Sequence, residues 1–154
     1  MLTLFTIPKA FVGHIGDIQR NAIKSWTLLR PKCEVILLAD DPGTSEVAEE
    51  LGVKHLPQVN RNEFGTPLLD SAYRLAEQEA SYQHLCYINA DIVLTSSFVD
   101  AATTVMKNSD WFLMTARRWN LDVSGRMDFD DDWEAGLLNA ISKRGRLGRH
   151  TEID

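Results

Sequence analysis

Asn89-Ala90-Asp91 interrupts an otherwise apolar run from Leu85 to Leu94. Leu85, Cys86, Tyr87 and Ile88 precede the break and Ile92, Val93 and Leu94 follow it, a near-continuous pattern that predicts a strand covered on both faces. An ionised carboxylate is not stable unpaired inside such a strand. Either the strand ends at the break and Asp91 emerges at its C-terminal edge, or a cation or hydrogen-bond donors meet it in place. Both alternatives point to a site, because ligands of open α/β sheets bind outside the carboxyl ends of the strands. A strand-end Asp beside a second polar residue suits a hard divalent cation, and Mg²⁺ takes one or two carboxylates together with phosphate oxygens of its ligand. The plainer alternative is that Asp91 caps the turn that follows.

Asp40 closes a second apolar run, Glu34 to Ala39, and in a doubly wound topology belongs on the same sheet edge, where it could accept hydrogen bonds from a ribose or a base. Asp40 and Asp41 equally suit the opening of a turn at Pro42-Gly43. At the end of the first apolar run, Thr6, Ile7 and Pro8 would line the same crevice. No glycine-rich phosphate loop follows them: neither the Walker spacing nor the dinucleotide glycine pattern is present, which disfavours an NTPase or an NAD-dependent enzyme.

These residues depend on the elements that hold them. Strands are predicted over Leu2–Ile7, Glu34–Ala39, Val53–Leu56, the run that contains Asp91, and Trp111–Thr115. Between them, Ile18, Ala22, Trp26 and Leu29 recur at helical spacing from Asp17 until Pro31. Thr44 or Ser45 is suited to cap a short helix that ends at Gly52. Thr66 as N-cap with Pro67 at the first helical position predicts a helix to about Ala80. Ser97 followed by Asp100 resembles a capping box, and a last helix is expected from Trp133 to about Lys143. Strands alternating with helices predict an α/β domain, a mostly parallel, Rossmann-like sheet between helices in three layers.

The chain of 154 residues fits one domain, and its 44% hydrophobic and 25% charged residues are those of a globular protein rather than a disordered one. A net charge of −6 opposes attraction to nucleic acid or an anionic membrane. Met1 to Ile7 lacks the basic flank and cleavage site of a signal peptide, and no apolar stretch is long enough to span a bilayer, so a cytoplasmic location is expected with no transmembrane segment. Cys33 and Cys86 fall in or beside predicted buried strands, not in a paired metal or disulfide spacing.

The stretch from Gly65-Thr66-Pro67 through Leu75-Ala76, followed by Tyr87-Ile88-Asn89-Ala90-Asp91-Ile92, resembles the GT-A glycosyltransferases, in which a glycine-started helix precedes a strand ending in an Asp-x-Asp motif. The likeness in order and spacing runs from the first strand to about Trp119. It implies a nucleoside diphosphate sugar as donor, an acceptor of unknown identity, and Mn²⁺ or Mg²⁺ as cofactor. It further implies that Asp91 is the metal-binding carboxylate, that Asn89 takes the first acidic position, and that Thr6, Pro8 and Asp40 contact the nucleotide. Asn89 departs from the motif: an amide offers an oxygen but no charge, so metal affinity should be weaker than with two carboxylates. The segment after the fifth strand is brief, and Gly148 to Asp154 resembles the approach to a later strand. The expectation is a nearly complete nucleotide-sugar half beside an incomplete acceptor half.

Other groups have plainer explanations. Asp128, Asp130, Asp131 and Asp132 precede the last helix, and Asp131, Asp132 and Glu134 at its start with Lys143, Arg144 and Arg146 at its end suit the helix dipole better than a second metal site. His14, His55, His84 and His150 show no ligand spacing, although a late His150 could join a pyrophosphate or metal site. Arg117 and Arg118 could balance phosphate charge, and Trp119 could stack on a sugar or base. Besides glycosyl transfer, two functions remain open: a non-catalytic nucleotide-sugar-binding module, suggested by Asn89, and a sugar-nucleotide nucleotidyltransferase. The latter is disfavoured because only Lys9 supplies charge to the segment after the first strand.

Overall fold

Leu2–Thr6 (β1) is a five-residue strand buried along its whole length, which is possible only between two neighbours and beneath cover on both faces. The computed structural model describes residues 1–149. Glu34–Leu38 (β2) and His84–Tyr87 (β4) flank β1, and Lys54–Leu56 (β3) pairs with β2, so that a four-stranded sheet runs in the order β3-β2-β1-β4 with every pair parallel. The helices Gly13–Leu28 (α1), Thr44–Leu51 (α2), Leu69–Glu79 (α3) and Ser96–Asn108 (α4) connect and follow these strands. The chain is therefore α/β with a parallel sheet flanked by helices.

Side chains alternate across the sheet, and they divide into two apolar clusters accordingly. Leu2, Leu4, Val35 and Leu37 pack with Ala22, Ile23 and Trp26 of α1, Val47 and Ala48 of α2, and Val99 and Ala102 of α4. Phe5, Ile36 and Leu38 pack instead with Ala72 and Ala76 of α3.

Several local expectations change in the folded chain. The polar break ends β4 at Tyr87, and β4 is an edge strand with β1 as its neighbour, which leaves its four residues half-buried rather than covered. Trp111–Thr115 is not a strand: Trp111 is 92% and Leu113 91% exposed. The hand of the crossovers explains this. The step from β1 to β2 passes through α1, and α4 lies in the same cluster as α1. A right-handed return on that face leads from β4 towards β1, a position already filled, and the outer edge is reached there only with the rare left-handed crossover. Residues 111–115 accordingly pass by β4 without pairing, with Phe112 stacked on His84 at a ring separation of 5.8 Å. The two remaining strands, Trp119–Asn120 (β5) and Arg146–Leu147 (β6), form a separate antiparallel pair across the helix Trp133–Arg144 (α5).

Helix starts also shift. Gly43 rather than Thr44 or Ser45 is the N-cap of α2, while Gly52 closes it in the left-handed conformation, as expected. Thr66 and Pro67 do not open α3, whose N-cap is Leu68, because Pro67 bridges back to Arg61 in a hairpin-like turn. Thr95 takes the cap position of α4, one residue ahead of its first helical residue, so Ser97 and Asp100 make no capping box. α1 begins at Gly13, one turn ahead of Asp17. Cys33 and Cys86 are free thiols, and burial pushes the Cys86 thiol up to about 11, which keeps it protonated and unreactive at neutral pH.

Candidate functional site at the carboxyl edge of the sheet

The order of strands reverses between β1 and β4: the chain steps outward through β2 and β3, then crosses back to the far side of β1. The carboxyl ends of β1 and β4 lie side by side there, in the location where open α/β sheets hold ligands. Directly beyond β4, Ala90 and Asp91 form a turn, with Ala90 buried and the side chains of Asn89 and Asp91 exposed. Asp91 thus emerges at the strand end, the first of the two alternatives its sequence position allows.

One helix organises this edge. Ser25 and Trp26 of α1 are both fully buried, and they grip the segment after Asp91: Trp26 Nε1 donates to the Ile92 carbonyl at 2.8 Å, and Ser25 Oγ accepts from the Leu94 amide at 3.0 Å. Ser25 in turn donates to the Ala22 carbonyl. About two turns earlier, the Gln19 carboxamide accepts from the Lys9 amide at 2.7 Å and donates to the Lys9 carbonyl at 2.9 Å, fixing the chain after Pro8. Asn21 does the same for a third segment, donating to the Gly125 carbonyl and accepting from the Met127 amide, both at 2.9 Å. Buried polar side chains of a helix must find such partners, and here the partners are the loops of the site. Reading the sequence for catalytic residues passes over Gln19, Asn21, Ser25 and Trp26. Gln19, Asn21 and Ser25 signal themselves only by polarity at positions adjoining the apolar helical stripe, to which Trp26 itself belongs.

Of the residues expected to contact a nucleotide, Thr6 and Pro8 are fully buried. Among the described residues, the Thr6 hydroxyl has no hydrogen-bond partner, and neither does that of Thr44 at the start of α2. A buried donor left unsatisfied costs about 1–3 kcal/mol. Thr6→Val, which keeps the shape and removes the orphan, is expected to stabilise the fold by about 1 kcal/mol in urea unfolding. Lower stability in the variant would mean that the hydroxyl is satisfied in solution.

Asp40 lies beyond β2, where Ala39 adopts a left-handed conformation with φ 69°. That backbone is strained for a residue with a Cβ, at a cost of order 1–3 kcal/mol. It is held from β3, since the Ala39 amide donates to the Leu56 carbonyl at 3.1 Å and His55 Nε2 donates to the Ala39 carbonyl at 2.8 Å. The turn presents Asp40 to solvent, but the carboxylate is engaged: one guanidinium nitrogen of Arg61 lies 2.7 Å from an oxygen of Asp40 and 2.7 Å from one of Asp41. The hydrogen bond from Arg61 holds the Asp40 carboxyl below its usual range, so it is fully ionised at neutral pH. Arg61 is a site-edge residue that the sequence does not single out.

The loops after β1 and β2 touch each other through Phe11, whose amide donates to the Pro42 carbonyl at 2.8 Å. Phe11 also lies close against the first turn of α1, where a Cβ at Gly16 would stand 2.7 Å from the Phe11 carbonyl carbon. Gly16→Ala is therefore expected to destabilise the protein by about 1–3 kcal/mol through overpacking against backbone, read from the denaturation midpoint. A change no larger than the ordinary scatter of neutral substitutions, about 0.5 kcal/mol, would show that the segment around Phe11 moves aside from α1 readily.

The acidic run near α5 behaves as helix chemistry. Asp132 is the N-cap, Glu134 lies in the first turn, and Lys143 and Arg144 lie in the last, while Arg146 belongs to β6. Glu134 also caps α4 from outside, its two oxygens accepting from the Ser96 amide at 2.9 Å and the Ser96 hydroxyl at 2.8 Å. Arg117 donates to the Gly148 carbonyl, and Trp119 is half-exposed in β5. Neither is shown to reach the carboxyl edge. His150 lies outside the described residues. Among the described residues no three His, Cys, Asp or Glu side chains converge.

Comparison with protein-family models and with curated proteins finds no match. Among the described residues, no helix is long and apolar enough to cross a membrane.

Proposed function

We propose that the chain binds a nucleoside diphosphate sugar across this edge, in a three-layer α/β/α domain of the GT-A type, and transfers the sugar to an acceptor with the help of Mn²⁺ or Mg²⁺. The observation that carries the proposal is the exposure of Asn89 and Asp91 immediately beyond β4, beside the end of β1 and at the reversal of strand order. The separate packing of α3 against Phe5, Ile36 and Leu38, apart from α1, α2 and α4, supports the layered architecture.

In this proposal Asp91 gives the cation its protein carboxylate, Asn89 adds a neutral amide oxygen, and the diphosphate completes the coordination. The cation would stabilise charge on the departing nucleoside diphosphate. Asp40, ionised and exposed at the end of β2, accepts from a ribose or base donor. Thr6 and Pro8, being buried, contribute by shaping the floor of the crevice. A non-catalytic nucleotide-sugar-binding module is the second possibility, favoured by the neutral side chain at Asn89.

Calorimetry with UDP and GDP, with and without Mn²⁺, tests the proposal. Binding of one of them that strengthens with the cation is expected; no binding of either overturns it. Sugar transfer from the bound donor then separates the enzyme from the module.

A further inference from the structure

Residues 60–68 form a small hairpin-like flap with its own internal bonding. The Asn62 amide donates to the Thr66 carbonyl at 2.9 Å, the Leu68 amide donates to the Asn60 carbonyl at 2.7 Å, and the Asn62 side-chain oxygen accepts from the Phe64 and Thr66 amides at 3.0 and 2.9 Å. Gly65 turns the tip with φ 77°, and Phe64 beside it is 83% exposed. A hairpin this small is only marginally stable by itself, so its internal bonds depend on what anchors it to the rest of the protein. Among the described residues, its hydrogen bonds to the remainder are few: the Asn60 amide to Ser71 Oγ and the Ala72 amide to the Leu68 carbonyl at the neck, and Arg61 to Asp40 and Asp41. Arg61 also reaches into the flap, donating to the Gly65 carbonyl at 2.7 Å, so one guanidinium joins the flap tip to the end of β2.

We propose that Arg61 is the catch of this flap, holding the hairpin together and against the carboxyl edge and fixing the Asp40 carboxylate in the orientation that meets a ligand. The geometry suits such a role. The planar guanidinium satisfies two carboxylates and a carbonyl together, which a lysine cannot reproduce. Both carboxylates sit after the strained turn at Ala39, on elements that β3 holds rigid. The contact is also partly exposed, with the Arg61 and Asp41 side chains 29% and 28% accessible, so it can open without unfolding the core. Loops of low local stability beside a rigid sheet edge are the elements that close over ligands.

Arg61 acts here as a positioning residue, and its ligand-side consequence rests on the nucleotide reading above. Two measurements keep the two apart. Hydrogen exchange of the full chain without ligand tests the catch: in Arg61→Ala the amides of Asn62, Phe64, Gly65 and Thr66 should exchange at least about tenfold faster while those of β1 and β2 stay unchanged. Arg61→Lys should give an intermediate rate. Asp40→Ala combined with Asp41→Ala should speed the same amides by less than Arg61→Ala, which also loses the bond to the Gly65 carbonyl, and adding Arg61→Ala to that pair should bring less acceleration than it brings alone, as expected when the groups share one contact. Unchanged exchange in Arg61→Ala, or acceleration spread evenly over the whole chain, overturns the catch. Calorimetry with UDP and GDP in Mn²⁺ tests its consequence, with Arg61→Ala expected to weaken binding about tenfold. Wild-type binding that Arg61→Ala leaves unchanged refutes the positioning of Asp40, whereas absence of binding to the wild type refutes the nucleotide reading and leaves the catch to be judged on exchange alone.

Discussion

Asp91→Ala is expected to weaken the Mn²⁺-dependent binding of UDP or GDP by about two orders of magnitude, equivalent to roughly 2.7 kcal/mol, while the unfolding midpoint stays within about 0.5 kcal/mol of wild type. The side chain is exposed on a turn beyond β4, so its removal leaves no cavity and no buried group without a partner. A carboxylate that supplies the protein's charge to a hard cation has no substitute nearby, because Asn89 is neutral. The reciprocal change, Asn89→Asp, would add a second carboxylate beside Asp91 and is expected, on the proposed function, to raise Mn²⁺ affinity about tenfold. Titration of Mn²⁺ by electron paramagnetic resonance, with and without nucleotide, reads both effects. Equal affinity in wild type and Asp91→Ala would remove the metal from Asp91 and with it the proposed transfer mechanism.

Trp26→Ala is expected to produce the largest loss of stability, about 3–5 kcal/mol for the emptied volume with about 1 kcal/mol more for the hydrogen bond to Ile92. Trp26 is among the largest side chains with no exposure, and it sits where α1 meets β1, β2 and the segment after β4. Against a typical total of about 5–15 kcal/mol, that loss brings the variant close to unfolding at physiological temperature. Trp26→Phe separates packing from positioning. It keeps most of the apolar volume but lacks the indole N–H, leaving the Ile92 carbonyl without its donor. Its expected signature is a loss of about 1–3 kcal/mol in urea unfolding together with weaker nucleotide binding, because the backbone next to Asp91 is no longer fixed. A Trp26→Ala protein with stability within about 1 kcal/mol of wild type would contradict the packing of α1, on the ordinary cost of about 3 kcal/mol or more for such a deletion.

These two residues illustrate different kinds of legibility. Asp91 is visible in the sequence because a charge inside an apolar run needs an explanation, and β4 does end ahead of it, at Tyr87, which leaves Asp91 on the turn beyond. Trp26 shows only as an apolar position in a helix, since nothing local reveals that its indole nitrogen faces a carbonyl 66 residues later. The same holds for Gln19 and Asn21, whose partners Lys9 and Gly125 come from opposite ends of the chain. Arg61 could not be distinguished from any surface arginine until the flap folded back on the end of β2.

The alternation of apolar runs, prolines and glycines by itself determined the four parallel strands, the helices between them and the edge on which Asn89, Asp91 and Asp40 stand. Those features are local, because hydrophobic period and turn chemistry act within a few residues. The tertiary structure alone decided the fate of Trp111–Thr115, a strand-forming segment denied a partner by the hand of the crossover on the α4 face. It also decided that Thr6 and Pro8 are buried and that the Asp40 carboxylate is held by Arg61. Each of these outcomes depends on which surfaces meet across tens of residues, and such meetings leave no periodic trace in the chain.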